Sequence, residues 1–131
     1  MITLTIPGKP FAKQRPRATR QGRVYTPKET VAFESVVRDI AALRFAEPIT
    51  GPVRVDIIAT FKPAASWSQK KKREAMGKPH IQRPDADNIQ KAILDGLNRI
   101  AFVDDGQVYD CRVTKHWGPE PRTIVHIEEM L

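Results

Sequence analysis

The residues best suited to chemistry are Asp85, Asp87 and Lys91, in the run Arg83-Pro84-Asp85-Ala86-Asp87-Asn88-Ile89-Gln90-Lys91. In an extended Asp85-Ala86-Asp87 the two carboxylates lie on the same side of the chain. If Asp87 opens a helix, Lys91 follows about one turn later on the same face. Two carboxylates and an ammonium aimed at one point suit Mg²⁺. This hard cation takes oxygen ligands, keeps several waters and shares its shell with phosphate oxygens. Mn²⁺ accepts the same donors. The lysine would stabilise charge developing on a transferring phosphoryl group. A plainer reading makes Asp87 a helix cap, Asp85 a solvated turn residue, and Lys91 the i,i+4 partner of Asp87 or Asp95. Asp104-Asp105-Gly106, on spacing alone, is a turn.

These acids sit in a basic chain of net charge +7. Residues 9–28 carry seven basic side chains and no acidic ones: Lys9, Lys13, Arg15, Arg17, Arg20, Arg23 and Lys28. Residues 62–83 carry seven more, Lys62, Lys70, Lys71, Lys72, Arg73, Lys78 and Arg83, opposed only by Glu74. The rest of the chain nets −6. Charge this segregated points to two basic surfaces for a polyanion, although charged loops also serve solubility. Lys9, Lys13, Arg15, Arg17, Arg20, Arg23, Lys70, Lys71, Lys72, Arg73 and Arg83 are the candidate contacts to a nucleic acid.

The elements that must position these groups follow from periodicity. Ile2, Leu4 and Ile6 alternate with threonines as a strand ended by Pro7-Gly8, and residues 8–23 form a long basic loop before a short strand at Val24-Tyr25. Thr26-Pro27-Lys28-Glu29 predicts a helix capped by Thr26, with Glu29 reaching back in a capping box, and an apolar face running to about Arg44. Val53 to Phe61 alternates cleanly as a strand. Trp67 to Met76 predicts a short helix capped by Ser66 or Ser68, then an extended stretch to Pro84. A third helix starts at Asp87 or Asn88 and buries Ile89, Ala92, Ile93, Leu97 and Ile100. Val108–Trp117 and Thr123–Glu129 read as strands joined by Gly118-Pro119-Glu120-Pro121 as a hairpin. The order predicts one α+β domain over residues 1–131, with helices packed on a mixed sheet.

Other classes find little support. No apolar run approaches the roughly 18 residues of a membrane span. There is no signal-peptide pattern, and the lone Cys111 forms no intrachain disulfide, so a cytoplasmic protein is expected. No zinc-ligand spacing, Ser-His-Asp arrangement or phosphate-cradling glycine loop is present. His80 reads as a solvated loop residue, with phosphate contact as the alternative. Trp67 reads as an anchor for the short helix, with base stacking as the alternative. His116, His126 and Cys111 read as structural.

The run Asp85 to Lys91, followed by Phe102-Val103-Asp104-Asp105-Gly106-Gln107-Val108, resembles the RusA-type Holliday junction resolvases. Their pattern is Asp-x-Asp-Asn-x-x-Lys, a helix, then Asp-Asp-x-Gln-Val/Ile and a strand. Gly8 to Arg17, Tyr25-Thr26-Pro27 and Glu120-Pro121-Arg122-Thr123 look like the version found in phage and prophage members. The resemblance implies a homodimer that resolves four-way DNA junctions by paired, symmetric, Mg²⁺-dependent nicks in recombination and repair. It implies that Asp85, Asp87 and Asp105 are essential acids, Asp104 an accessory metal ligand, and Lys91 the essential lysine. In one departure, Pro79-His80-Ile81-Gln82-Arg83 stands where some members carry an arginine cluster. The rival readings are a non-catalytic basic DNA-binding module and a metal nuclease acting on flaps, other branched substrates or RNA.

Overall fold

Alternation in Val53–Phe61 places Val53, Val55, Ile57, Ala59 and Phe61 on one buried face, and this strand is the centre of the molecule. The computed structural model describes all 131 residues. In chain order it contains β1 (Ile2–Pro7), β2 (Arg17–Ala18), β3 (Val24–Tyr25), α1 (Lys28–Ala42), β4 (Val53–Phe61), α2 (Gln69–Ala75), α3 (Ala86–Leu97), a 3₁₀ turn (Asp105–Gln107), β5 (Val108–Trp117) and β6 (Arg122–Glu129). The main sheet has the order β1-β6-β4-β5, with β4 parallel to β5 and antiparallel to β6. The architecture is α+β, as expected.

Leu4 and Ile6 of β1, Val125 and Ile127 of β6 and the inward face of β4 form one core with Val37 and Ala41 of α1 and Ile89, Ile93 and Leu97 of α3. The two helices approach closely because Gly96 has no side chain. A Cβ there would lie 2.7 Å from the Val37 Cβ. Burial of this apolar surface is the main force holding α3, and therefore its N-terminus, in place.

Three local expectations are corrected. The strands β5 and β6 do not form a hairpin, because β4 lies between them. Their four-residue link crosses the end of β4, where the Gly118 N–H donates to the Phe61 carbonyl at 2.9 Å. A Cβ on Gly118 would come within 2.5 Å of Thr60 Cγ2, so any side chain at the crossing would force Thr60 to move. Thr26 does not cap α1. Pro27 is the N-cap, no side chain caps the helix, and the Pro27 carbonyl accepts from the Thr30 and Val31 N–H groups at 3.1 and 3.2 Å. Residues 8–23 are not loop throughout, because Arg17-Ala18 forms β2, which pairs with the expected strand at Val24-Tyr25, β3, as a two-stranded finger. Its turn is closed by the Thr19 N–H donating to the Arg23 carbonyl at 2.8 Å and by Gly22 at φ +81°. By contrast, α2 is capped by Ser68, which accepts from the Lys71 N–H at 3.1 Å, as its sequence suggested.

Candidate active site

The stretch before α3 is held from the side by β5. The Gly77 N–H donates to the Trp117 carbonyl, Trp117 N–H to the Lys78 carbonyl, and His80 N–H to the Lys115 carbonyl, at 2.9 to 3.0 Å. Residues 77–80 thus cover the outer edge of β5 over its last residues, Lys115 to Trp117. Lys115 then reaches forward, and its Nζ donates to the carbonyls of Gln82 at 2.6 Å and Pro84 at 2.7 Å. The Arg83–Pro84 peptide is cis. No motif in the sequence marks Lys115 for this role. Its only signal is a charge in a strand whose neighbours Cys111, Val113 and Trp117 are half-buried.

This clamp delivers Asp85 as the N-cap of α3, at φ −71° and ψ 145°. Its carboxylate makes no capping bond. The first turn closes on backbone alone, with the Asn88 and Ile89 N–H groups donating to the Asp85 carbonyl at 3.2 and 3.3 Å. Asp85, Asp87 and Lys91 are all exposed. Acidic groups are favoured at this end by the helix dipole. No cation lies within 4 Å of either carboxylate, and no carboxylate within 4 Å of Lys91 Nζ, because the chain's three ion pairs are elsewhere. The cap and i,i+4-pair readings therefore do not account for these residues. Asp85 lines an open cleft of about 480 Å³ with Lys9, Arg15, Arg83 and Asn88. An unpartnered acid in a cleft lined by three cations is the unusual feature of this surface.

Asp104 and Asp105 lie elsewhere. Asp104 caps the 3₁₀ turn, its carboxylate accepting from the Gly106 N–H at 2.9 Å, while Gln107 Oε1 accepts from the Asp104 N–H at 2.8 Å. Gln107 Nε2 donates to the carbonyls of Ile49 and Gly51 at 2.8 and 2.9 Å, pinning the turn to the chain entering β4. Asp105 is exposed, with no side-chain partner. The turn stands at the start of β5, whereas Lys115, which holds the Asp85 segment, stands near its end. The seven steps from Val108 to Lys115 span roughly 23 Å at about 3.3 Å per residue. One chain therefore does not bring Asp105 to Asp85 and Asp87, and nowhere do three His, Cys, Asp or Glu side chains converge on a cation position. A single chain offers two free carboxylates, a donor set that fits Mg²⁺ completing its shell with water and phosphate oxygens.

The basic candidates separate into groups. Arg17, Arg20 and Arg23 are exposed on the β2–β3 finger, and Lys70, Lys71 and Arg73 are exposed on α2 with Lys72 half-buried. Lys13 differs, because its ammonium is already paired with Glu34 of α1 at 3.0 Å and with Asp95 of α3. Burial opposes its charge, but the hydrogen bonds and charges of Asp95 and Glu34 outweigh that cost and hold its pKa above the ordinary lysine value. Lys13 ties the loop to both helices, and its N–H also donates to the Asn88 carbonyl at 2.9 Å.

Burial corrects the reading of His80. It is 4% exposed and stacks on Phe61, with ring centroids 3.8 Å apart. Burial lowers its pKa below the usual 6.5, and the nearby Lys115 adds to the effect. The sign of the consequence follows from linkage. Below about pH 6.5 the unfolded chain takes up a proton that the folded chain resists, so stability falls with pH there and the contribution is complete above that value. His80→Phe keeps the stacking and removes the titration. Thermal melts between about pH 5 and pH 7 should show a shallower loss of Tm in the variant, and an unchanged slope would count against the assignment. Cys111 is half-buried, and burial first, then Asp110 and Asp56, pushes its thiol up to about 11, consistent with a packing role.

Two comparisons with known proteins bear on the chain as a whole. Residues 7–128 match the family model described as "Endodeoxyribonuclease RusA". The chain is also 36% identical to the uncharacterized protein YqaN of Bacillus subtilis (strain 168), over 98% of this chain and 96% of that protein.

Proposed function

The chain belongs to the RusA endodeoxyribonuclease family, and on that premise we propose that it resolves four-way DNA junctions by paired, Mg²⁺-dependent nicks as a homodimer. The observation that carries this reading is the unpartnered Asp85 at the N-terminus of α3, in a cleft lined by Lys9, Arg15 and Arg83, with a second unpartnered acid, Asp87, in the helix's first turn. Exposed arginines and lysines draw in the sugar-phosphate backbone and fix its register, while contributing no base specificity of their own. Asp85 and Asp87 would hold the metal, with the partner subunit as the source of a third acid. When bound, Mg²⁺ supplies Lewis-acid polarisation of the phosphate and an activated water.

The chain's own groups do the rest. Lys115 and the first turn of α3 fix where Asp85 stands. Lys91, one turn beyond Asp87 and without an ion-pair partner, would set its ammonium against charge developing on the phosphoryl oxygens. Asp104, held in its capping box, orients the turn that carries Asp105. No helix is long and apolar enough to cross a membrane.

The test is cleavage of synthetic junction, flap, linear duplex and RNA substrates by the purified protein, with Mg²⁺, with Mn²⁺ and without metal. Symmetric nicks in the junction, dependent on the metal, are expected. Preferential cutting of flaps or RNA overturns the substrate, and tight binding with no cutting of any substrate overturns catalysis.

A further inference from the structure

A second cleft, of about 470 Å³, adjoins the first and shares Lys9 and Arg83 with it. Its floor is aromatic. Phe61 and His80 are buried and stacked, with rings 16° from parallel, and His80 contacts Trp117 with centroids 4.5 Å apart. Trp117 in turn meets Trp67 at 4.9 Å, and both indoles remain half-exposed. Lys71 Nζ lies 4.0 Å over the Trp67 ring. Gln82 joins the wall, and no carboxylate lines the cleft.

Packing alone would anchor α2 by burying Trp67. Here two half-exposed indoles, backed by the buried His80 imidazole, instead face a cleft edged by Lys9, Lys62, Lys71 and Arg83. That combination is the chemistry of a nucleobase site: aromatic faces stack on any base, and cations at the rim take the flanking phosphates. Gln82 offers a donor and an acceptor to a base edge. The clefts adjoin at Arg83, two residues before Asp85, so a base held in the second sits beside a phosphate presented to the first. A base can enter only where stacking is already broken, as at a branch point or in a single strand.

We propose that the Trp67–Trp117 cleft holds one unstacked DNA base next to the phosphate presented to Asp85 and Asp87. This inference rests on the DNA-cutting reading of the first cleft and extends it to how a branch is recognised. The stacking faces select for an unpaired base, whereas the finger and α2 lysines attract any duplex.

The chain's two tryptophans are both in this cleft, so intrinsic fluorescence reports on it directly. The probes are a short oligothymidylate and an abasic oligonucleotide of equal length, which carry the same phosphates, titrated in metal-free buffer. The base-bearing strand should quench the fluorescence and bind about tenfold tighter, in line with measured base–aromatic stacking. An abasic nucleotide at the branch of a four-way junction should weaken binding by a similar factor. Trp67→Leu should abolish the base-dependent difference, measured by anisotropy of labelled DNA, and Trp67→Phe should retain most of it. Equal affinity for base-bearing and abasic strands in the native protein overturns the proposal, whether or not any variant folds. A difference that survives in folded Trp67→Leu overturns it as well. Junction cleavage is scored separately. Cutting without base dependence removes the cleft's role alone, and base-dependent binding without cutting leaves the cleft standing while the nuclease reading fails.

Discussion

Asp87→Asn should lower the rate of Mg²⁺-dependent junction cleavage by about a thousandfold or more while leaving junction affinity within about twofold, an effect of several kcal/mol on the barrier. The side chain is exposed and has no hydrogen-bond or ion-pair partner, so the near-isosteric amide leaves no group of the protein unsatisfied and the fold should be unchanged. What it removes is one of the two negative charges that one chain offers a divalent cation. Affinity should not fall, because an acid beside a basic cleft repels the phosphate, and its neutralisation in metal-free buffer slightly favours binding. The split between rate and affinity is the informative result. Loss of both together would make Asp87 a residue of the DNA surface or of the fold, and full activity would remove it from the site.

Much of the scaffold was legible in the sequence for physical reasons that can be named. The strand Val53–Phe61 alternates because one face meets the helices and the other does not, and α3 shows its stripe for the same reason. Ser68 capped α2 as a local rule requires, since cap and donor are three residues apart. The failures were of non-local origin. The link between β5 and β6 has a hairpin's length and composition, but nothing local records that β4 is inserted between them. Nothing local in the sequence separates Lys13 from the free cations, because its partners, Glu34 and Asp95, lie 21 and 82 residues away. His80 read as solvated because the aromatic rings that bury it come from β4 and from the end of β5. The candidate site divides in the same way. Asp87 and Lys91 could be placed from helix geometry, one turn apart on α3, but the helix begins at Ala86 and not at Asp87 or Asn88, so the extended Asp85-Ala86-Asp87 that would align the two carboxylates does not form. Asp105 could not be placed, because α3 carries the chain away from Asp85 by about 18 Å at 1.5 Å per residue before the turn is reached.

That separation leads to the second large effect. Asp105→Asn should abolish cleavage as fully as Asp87→Asn, yet the two inactive proteins, unfolded together and refolded as a mixture, should regain activity. If the third acid comes from the partner, each site of a symmetric dimer combines Asp85 and Asp87 of one subunit with Asp105 of the other. In a mixed dimer both substitutions then fall in the same site and the second site is intact. Random reassortment makes half the dimers mixed, each with one working site, so about a quarter of the native sites should return. Their products should be single unpaired nicks, because one dimer no longer cuts both strands. Sites built within one chain predict no recovery, since each subunit of the mixed dimer would carry a damaged site. Normal cleavage by Asp105→Asn alone would place Asp105 outside the chemistry and leave it as the exposed residue of a capped turn. Of these outcomes only recovery reconciles the pattern that pairs Asp105 with Asp85 and Asp87 with a fold that puts them at opposite ends of β5.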